Sequence, residues 1–395
     1  MTPAMSSGPE DIAGVKCDCV IHLEEGSVVL VEISRETTID KLRTDLAKFN
    51  TLRPHFFQRN VFPRCYFITL GAPTPSMIAA GQAAYVTVQS IGQFLDSMLG
   101  LVEYTSLRQR APFGSAVDLY SGEPDTNKYV PVHYVSSTGE HYDTSKIASK
   151  LVAGQTIVLI GDYGSGKSRC VKEVFDVLTK TRNQHYRNTI AINLRDNWGL
   201  KRASEMITRH YTDLGLGAST GDALKAAYSK VTTYLLDGFD EIGAQTWSDD
   251  PAKLVAIRQQ SLVGVKDLIE RAKGGTLITG REHYFNNDAE LVTCLGLDKK
   301  NPILLRCNQQ LSATEFSDML GRPAPPLPAW IPKKPLIATI IRDIDAKTVD
   351  NILLTSSGQV DFWELLLNTL CEREARINPI LDLSLIHISE PTRPY

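Results

Sequence analysis

Long apolar runs are missing from this 395-residue chain. None approaches the roughly 18 residues of a membrane-spanning helix, and the N-terminus lacks the basic-then-apolar pattern of a secretory signal. Disulfide and zinc frameworks are missing as well. The seven cysteines (Cys17, Cys19, Cys65, Cys170, Cys294, Cys307 and Cys371) are scattered and odd in number. They form no CxxC pair and no His/Cys cluster of zinc spacing, so they read as reduced core thiols. Nor does one sign of charge dominate: 42 Lys and Arg against 45 Asp and Glu leave a net −3. That balance argues against standing attraction to nucleic acid or to a membrane. A cytoplasmic protein is what these absences leave. With 43% apolar residues it has material for two or three domains with sizeable cores.

What is present begins at Gly161-Asp162-Tyr163-Gly164-Ser165-Gly166-Lys167-Ser168, a GxxxxGK[ST] run. It follows an apolar stretch, Thr156 to Ile160, that reads as a buried strand, and it leads into a helical pattern from Ser168 to about Thr181. Such a loop turns tightly enough to aim successive N–H groups at phosphate oxygens, and the helix N-terminus adds a favourable dipole. Lys167 is expected to reach the β- and γ-phosphates, and the Ser168 hydroxyl to ligate Mg²⁺. About 70 residues later a second apolar run, Thr232 to Leu236, ends in Asp237-Gly238-Phe239-Asp240-Glu241. A carboxylate at the C-terminal end of a parallel strand faces the same ligand crevice. Asp237 is therefore expected to hold Mg²⁺ through water, and Asp240 or Glu241 to orient or deprotonate the attacking water. ATP or ADP with Mg²⁺ is the expected cofactor, and no other metal is indicated outside the N-terminal residues considered below.

A strand ending Asp-Gly-aromatic-Asp-Glu resembles that of the NACHT clade of STAND P-loop NTPases. Gly275 to Glu282 resembles the family's sensor strand, with Gly280 where a small polar residue is usual. The resemblance implies that Thr279 and Arg281 read the γ-phosphate. Lys334-Pro335-Leu336-Ile337 is similar to the family's proline-bearing helix start, and Trp363 to Asn378 to its later helical region. Roughly residues 125 to 382 are covered. The implied fold is α/β, a three-layer P-loop core of about five parallel strands (156–160, 189–194, 232–237, 275–279 and 302–306). A small N-terminal α/β domain precedes it, and a truncated helical region from Ser312 closes over the nucleotide. The implied activity is a slow ATPase switch that self-assembles when ADP is exchanged for ATP, in a setting of prokaryotic antiviral defence. A plain ATPase or motor remains open as an alternative, as does a nuclease regulated by the NTPase core.

Domain boundaries are expected at 1–104, 105–150 (connector and lip of the nucleotide site), 151–310, 311–382 and 383–395. In the connector, Tyr129-Val130-Pro131-Val132 reads as a short strand, with Tyr129 or Val130 beside the adenine. Residues 383–395, with two prolines, resemble a translated sequencing-library adapter. If so, the natural sequence runs past Asp382, and the trigger is bound by a missing C-terminal region. At the other end, strands at Cys17 to Leu23 and Val28 to Ile33 form a hairpin over a turn at 24–26. A helix from Thr37 to Asn50, capped by Thr38, and a strand at Cys65 to Leu70 follow. This order, with Asp18 and Glu32 on adjacent strands, resembles the PD-(D/E)xK nuclease core, in which two such carboxylates hold Mg²⁺. Ser34 stands where that family has lysine, and Lys41 is the candidate replacement. DNA is a possible partner, although acidic residues outnumber basic ones ten to eight over positions 1–100.

Overall fold

The computed structural model describes residues 4–23, 26–118, 121–242, 250–307, 310–325, 327–344 and 358–377. The turn at 24–25 and the adapter-like stretch 383–395 lie outside the described residues. Two compact units are formed, Met1–Glu103 with Arg182–Tyr186, and Tyr104–Thr181 with Arg187–Tyr395.

In the first unit, five strands lie side by side in sequence order: β1 (Ala4–Ile12), β2 (Val15–Leu23), β3 (Val28–Ser34), β4 (Arg64–Thr69) and β5 (Val86–Ser90). β1, β2 and β3 are antiparallel, whereas β3, β4 and β5 run parallel across helices Ile39–Phe57 and Pro75–Ala83. β1 was not expected. Its sequence, with Gly8, Pro9, Glu10 and Asp11, has little intrinsic strand preference, but an edge strand tolerates proline and borrows its order from β2. The long helix is capped by Thr38 as expected, its hydroxyl accepting from Lys41 N–H. It runs past Asn50 because Phe49, Leu52 and Phe56 continue the buried stripe.

The second unit is built on seven strands in the order β7-β6-β12-β8-β11-β10-β9. These are β6 (Tyr134–Ser136), β7 (His141–Tyr142), β8 (Thr156–Ile160), β9 (Asn188–Asn193), β10 (Thr232–Asp237), β11 (Thr276–Gly280) and β12 (Ile303–Cys307). β12, β8, β11, β10 and β9 are parallel, and β6 and β7 form an antiparallel edge. Every residue of β8, β10 and β11 is buried. Since successive side chains point to opposite faces, both faces are covered, and the fold is a three-layer α/β sandwich. The expected strand at Tyr129 to Val132 is displaced to Tyr134–Ser136. Pro131 has no N–H to give a ladder. Among the described residues no helix is long and apolar enough to cross a membrane.

Candidate nucleotide site

The parallel order brings the C-terminal ends of β8, β11 and β10 together, with β11 between the other two. Helix Lys167–Lys180 starts where the phosphate loop ends, with Gly166 as its left-handed cap residue. Lys167 Nζ folds back into the loop. It donates to the carbonyls of Gly161 (2.8 Å) and Asp162 (2.9 Å) and approaches Ser165 Oγ at 3.5 Å. Ser165 Oγ itself donates to Asp162 O. An ammonium whose hydrogen bonds go to neutral oxygens keeps its charge for an anion.

Asp237 is buried at the end of β10. Its Oδ1 accepts from Thr279 Oγ1 at 2.5 Å, and Thr279 Oγ1 also accepts from Gly238 N–H at 3.2 Å. Thr279 thus orients the carboxylate expected to hold the metal. Arg281, for which the sequence suggested a γ-phosphate contact, follows β11 directly. Arg281 Nε is 3.0 Å from Asp240 Oδ2, its main-chain N–H donates to Asp240 Oδ1, and its guanidinium sits over the Tyr163 ring. Gly280 departs from the family pattern for a steric reason: a methyl group there would lie 2.4 Å from the Phe239 ring.

The two water-activating candidates have separate cations. Burial raises the Asp240 carboxyl, with Arg281 opposing. Burial also pushes Glu241 up to about 7, opposed by Arg195 and reinforced by Asp237 and Asp240. Arg195 Nε is 2.8 Å from Glu241 Oε2. A carboxyl of that pKa is matched to base catalysis near neutral pH.

A segment far along the chain rests on the loop. Lys334 Nζ pairs with Asp162 Oδ2 at 2.9 Å, His283 Nε2 with Asp162 Oδ1 at 3.0 Å, and Leu336 N–H donates to Gly164 O. The hydrogen bond from Lys334 holds the Asp162 carboxyl below its usual value. The Tyr129 ring lies 5.9 Å beneath the guanidinium of Arg169, on the helix that follows the loop.

Ser115 was not singled out from sequence. The turn at Phe113-Gly114-Ser115, within the stretch read as connector and lip of the nucleotide site, lies beside Ser168 and Asp237. Ser115 Oγ is 3.2 Å from Ser168 Oγ, and a methyl at Gly114 would lie 2.0 Å from Asp237 Oδ2. Hydroxyls and a carboxylate are the hard oxygen donors Mg²⁺ prefers, and Lys167 suits a polyphosphate, so the residues present fit a magnesium nucleotide. Among the described residues no three His, Cys, Asp or Glu side chains are grouped to hold a metal by themselves.

The N-terminal pair is arranged differently. Asp18 Oδ2 accepts from Ile33 N–H at 2.9 Å, and Glu32 Oε1 accepts from Asp18 N–H at 3.4 Å. Lys41, the expected replacement lysine, pairs with Asp45, one turn along its own helix. Lys48 takes the place beside Glu32 instead, 2.7 Å from Oε2, and is 3.0 Å from Asp45. It projects from the same helix, two turns further on, and so reaches the buried end of β3.

No protein-family model matches the chain, and no curated protein does. Among solved structures, the Aeropyrum pernix ORC1 protein in complex with DNA is 13% identical, with a TM-score of 0.36, covering 64% of this chain and 72% of that one. The Aeropyrum pernix ORC2 protein in ADPNP-ADP complexes is 14% identical, with a TM-score of 0.29, covering 69% and 72%. Replication initiator DnaA bound to AMPPCP and single-stranded DNA is 12% identical, with a TM-score of 0.26, covering 58% and 63%. Overlaps of this extent carry no argument about what the chain binds or does.

Proposed function

We propose that the chain is an ATP-binding, slowly hydrolysing switch of the NACHT/STAND kind. Residues 151–310 form its nucleotide core, 105–150 the lip and 311–382 a helical region. Residues 1–104 form an effector brought into action by nucleotide-controlled self-assembly. Antiviral defence in a prokaryotic cytoplasm is the setting this reading implies. One observation carries it: the start of helix Pro335–Asp343 is bonded to the phosphate loop through Lys334–Asp162 and Leu336–Gly164. Such bonds would couple what occupies the loop to where that segment lies, which a switch needs and a simple hydrolase does not.

In the site, Lys167 and the loop N–H groups would bind the polyphosphate. Ser168 and Asp237 would hold Mg²⁺, which when bound neutralises phosphate charge. Glu241 would take the proton of the attacking water, with Arg195 holding its carboxylate in place. Asp240 would position Arg281 beside Tyr163. The test measures ATP turnover and particle mass side by side, in ADP and in ATP. A switch turns over slowly and changes mass with the nucleotide. Rapid turnover by a particle of constant mass would favour a plain ATPase or motor.

A second reading concerns the N-terminal unit, and the Lys48–Glu32 contact at 2.7 Å favours it. Asp18 and Glu32 would share a Mg²⁺ with a DNA phosphate, and Lys48 would help activate water. Little or no cutting is expected from this chain. Mg²⁺-dependent cleavage of DNA that disappears in a folded Asp18→Ala would establish the activity.

A further inference from the structure

The loop Ala111–Ser115 is held against β9 by two side chains, Arg108 and Asn193. Arg108, 2% exposed, donates from Nε to Ala191 O (2.7 Å) and from Nη1 to Ala111 O (3.1 Å) and Pro112 O (3.0 Å). Its Nη2 reaches Asn193 Oδ1 at 3.1 Å, and the guanidinium stacks 3.6 Å from the Phe113 ring centroid. Asn193 completes the clamp, accepting from Gly114 N–H and donating to Pro112 O. Burying a guanidinium is costly unless its donors are used, and here they tie the loop at Ala111 and Pro112 to Ala191 and Asn193 of β9.

The clamp sets two oxygens at a telling separation. Adjacent ligands of an octahedral Mg²⁺, each bound at about 2.1 Å, stand about 3.0 Å apart. Ser115 Oγ and Ser168 Oγ are hydrogen-bonded to each other at 3.2 Å, so the pair already stands near the spacing of two adjacent ligands. Gly114 makes the approach possible. Its φ is +49°, and any side chain there would strike both Asp237 Oδ2 and Ser168 Oγ. The absence of a Cβ lets the loop main chain lie against the buried carboxylate and the hydroxyl.

We propose that Ser115 is a second hydroxyl ligand of the nucleotide's Mg²⁺, adjacent to Ser168, and that the Arg108-clamped loop is a built part of the metal site. This rests on the magnesium-nucleotide reading above. The ligand class is a hard divalent cation carried by a nucleoside triphosphate.

The test uses the full chain and a fluorescent ATP analogue, titrated with Mg²⁺ and, separately, in EDTA. Ser115→Ala should raise the Mg²⁺ needed for half-saturation at least about 10-fold while leaving binding in EDTA unchanged. Ser115→Cys should bind weakly with Mg²⁺ and regain affinity with thiophilic Cd²⁺, a response a merely structural serine would not give. If both variants follow the wild-type Mg²⁺ curve while Ser168→Ala is shifted, the proposal falls and the nucleotide reading stands. Equal weakening of Ser115→Ala with and without metal also overturns it. If wild type and Lys167→Ala bind the analogue alike, the nucleotide reading fails and takes the proposal with it.

Discussion

Two lysines in this molecule stand near carboxylates at strand ends, and they are used in opposite ways. Lys48 is locked between Glu32 and Asp45, both about 1% exposed. Burial works to lower its pKa, yet the two carboxylates raise it above lysine's usual value, so its charge is spent inside the unit. Lys167 is bonded to two main-chain carbonyls and a hydroxyl. Its charge is directed at whatever enters the loop. A lysine closed in by buried acids acts chiefly in stability, and one cradled by neutral oxygens acts in binding.

The largest effect should come from Glu241, the acid proposed to take the proton of water. Glu241→Gln is expected to slow ATP hydrolysis about 10²- to 10⁴-fold, or about 2.7–5.4 kcal/mol of barrier, with nucleotide binding retained. Asp240→Asn, by loosening Arg281, should cost less. Single-turnover hydrolysis by Glu241→Gln at the wild-type rate would sink the assignment.

Next is the stability of the N-terminal unit. Lys48→Met leaves the buried Glu32 carboxylate without its cation and Asp45 with Lys41 alone, which should cost about 3 kcal/mol in urea unfolding at pH 7. Burial already raises the Glu32 carboxyl, with Lys48 opposing, so removing Lys48 raises it further. A raised carboxyl favours the folded state when protonated, so the loss should shrink as pH falls. Adding Glu32→Gln should recover part of it. An unchanged unfolding midpoint in Lys48→Met would end the contrast drawn here.

Lys167→Ala should do the reverse. Stability without ligand should barely change, whereas the thermal stabilisation by Mg-ATP, about 2.7 kcal/mol at 100 times the dissociation constant, should vanish. Equal thermal shifts in wild type and variant would remove the phosphate-loop reading.

Smaller effects sharpen the picture. With Glu241 pushed up to about 7 by burial, kcat/KM should rise with pH through that value and level off above it. Arg195 holds the value down, so Arg195→Gln should move the limb to higher pH; a limb that stays in place would mean that another group titrates. Last, the partly exposed Lys334–Asp162 pair is worth roughly 0.5–1 kcal/mol, so Asp162→Asn should release ADP only about 3-fold faster in a stopped-flow chase.

Strands buried on both faces were the easiest features to read, because a parallel strand is apolar along its whole length. β8 and β10 fall on the expected residues, and β9, β11 and β12 are each one residue away. The phosphate loop and Asp237 were legible for a related reason: glycine spacing and a strand-terminal acid are local patterns. β1 was not, since an edge strand of weak propensity takes its order from its neighbour.

By itself, the sequence determined the α/β sandwich, the place of the glycine-rich loop after β8 and the acid that ends β10, since each follows from periodicity within a few residues. Only the tertiary structure decided which cation meets which acid. Lys48 meets Glu32 across 16 residues, Arg195 meets Glu241 across 46, Ser115 meets Ser168 across 53, and Lys334 meets Asp162 across 172. Such pairs depend on strand order and helix placement, and those are set by burial of the whole core rather than by any local run of residues.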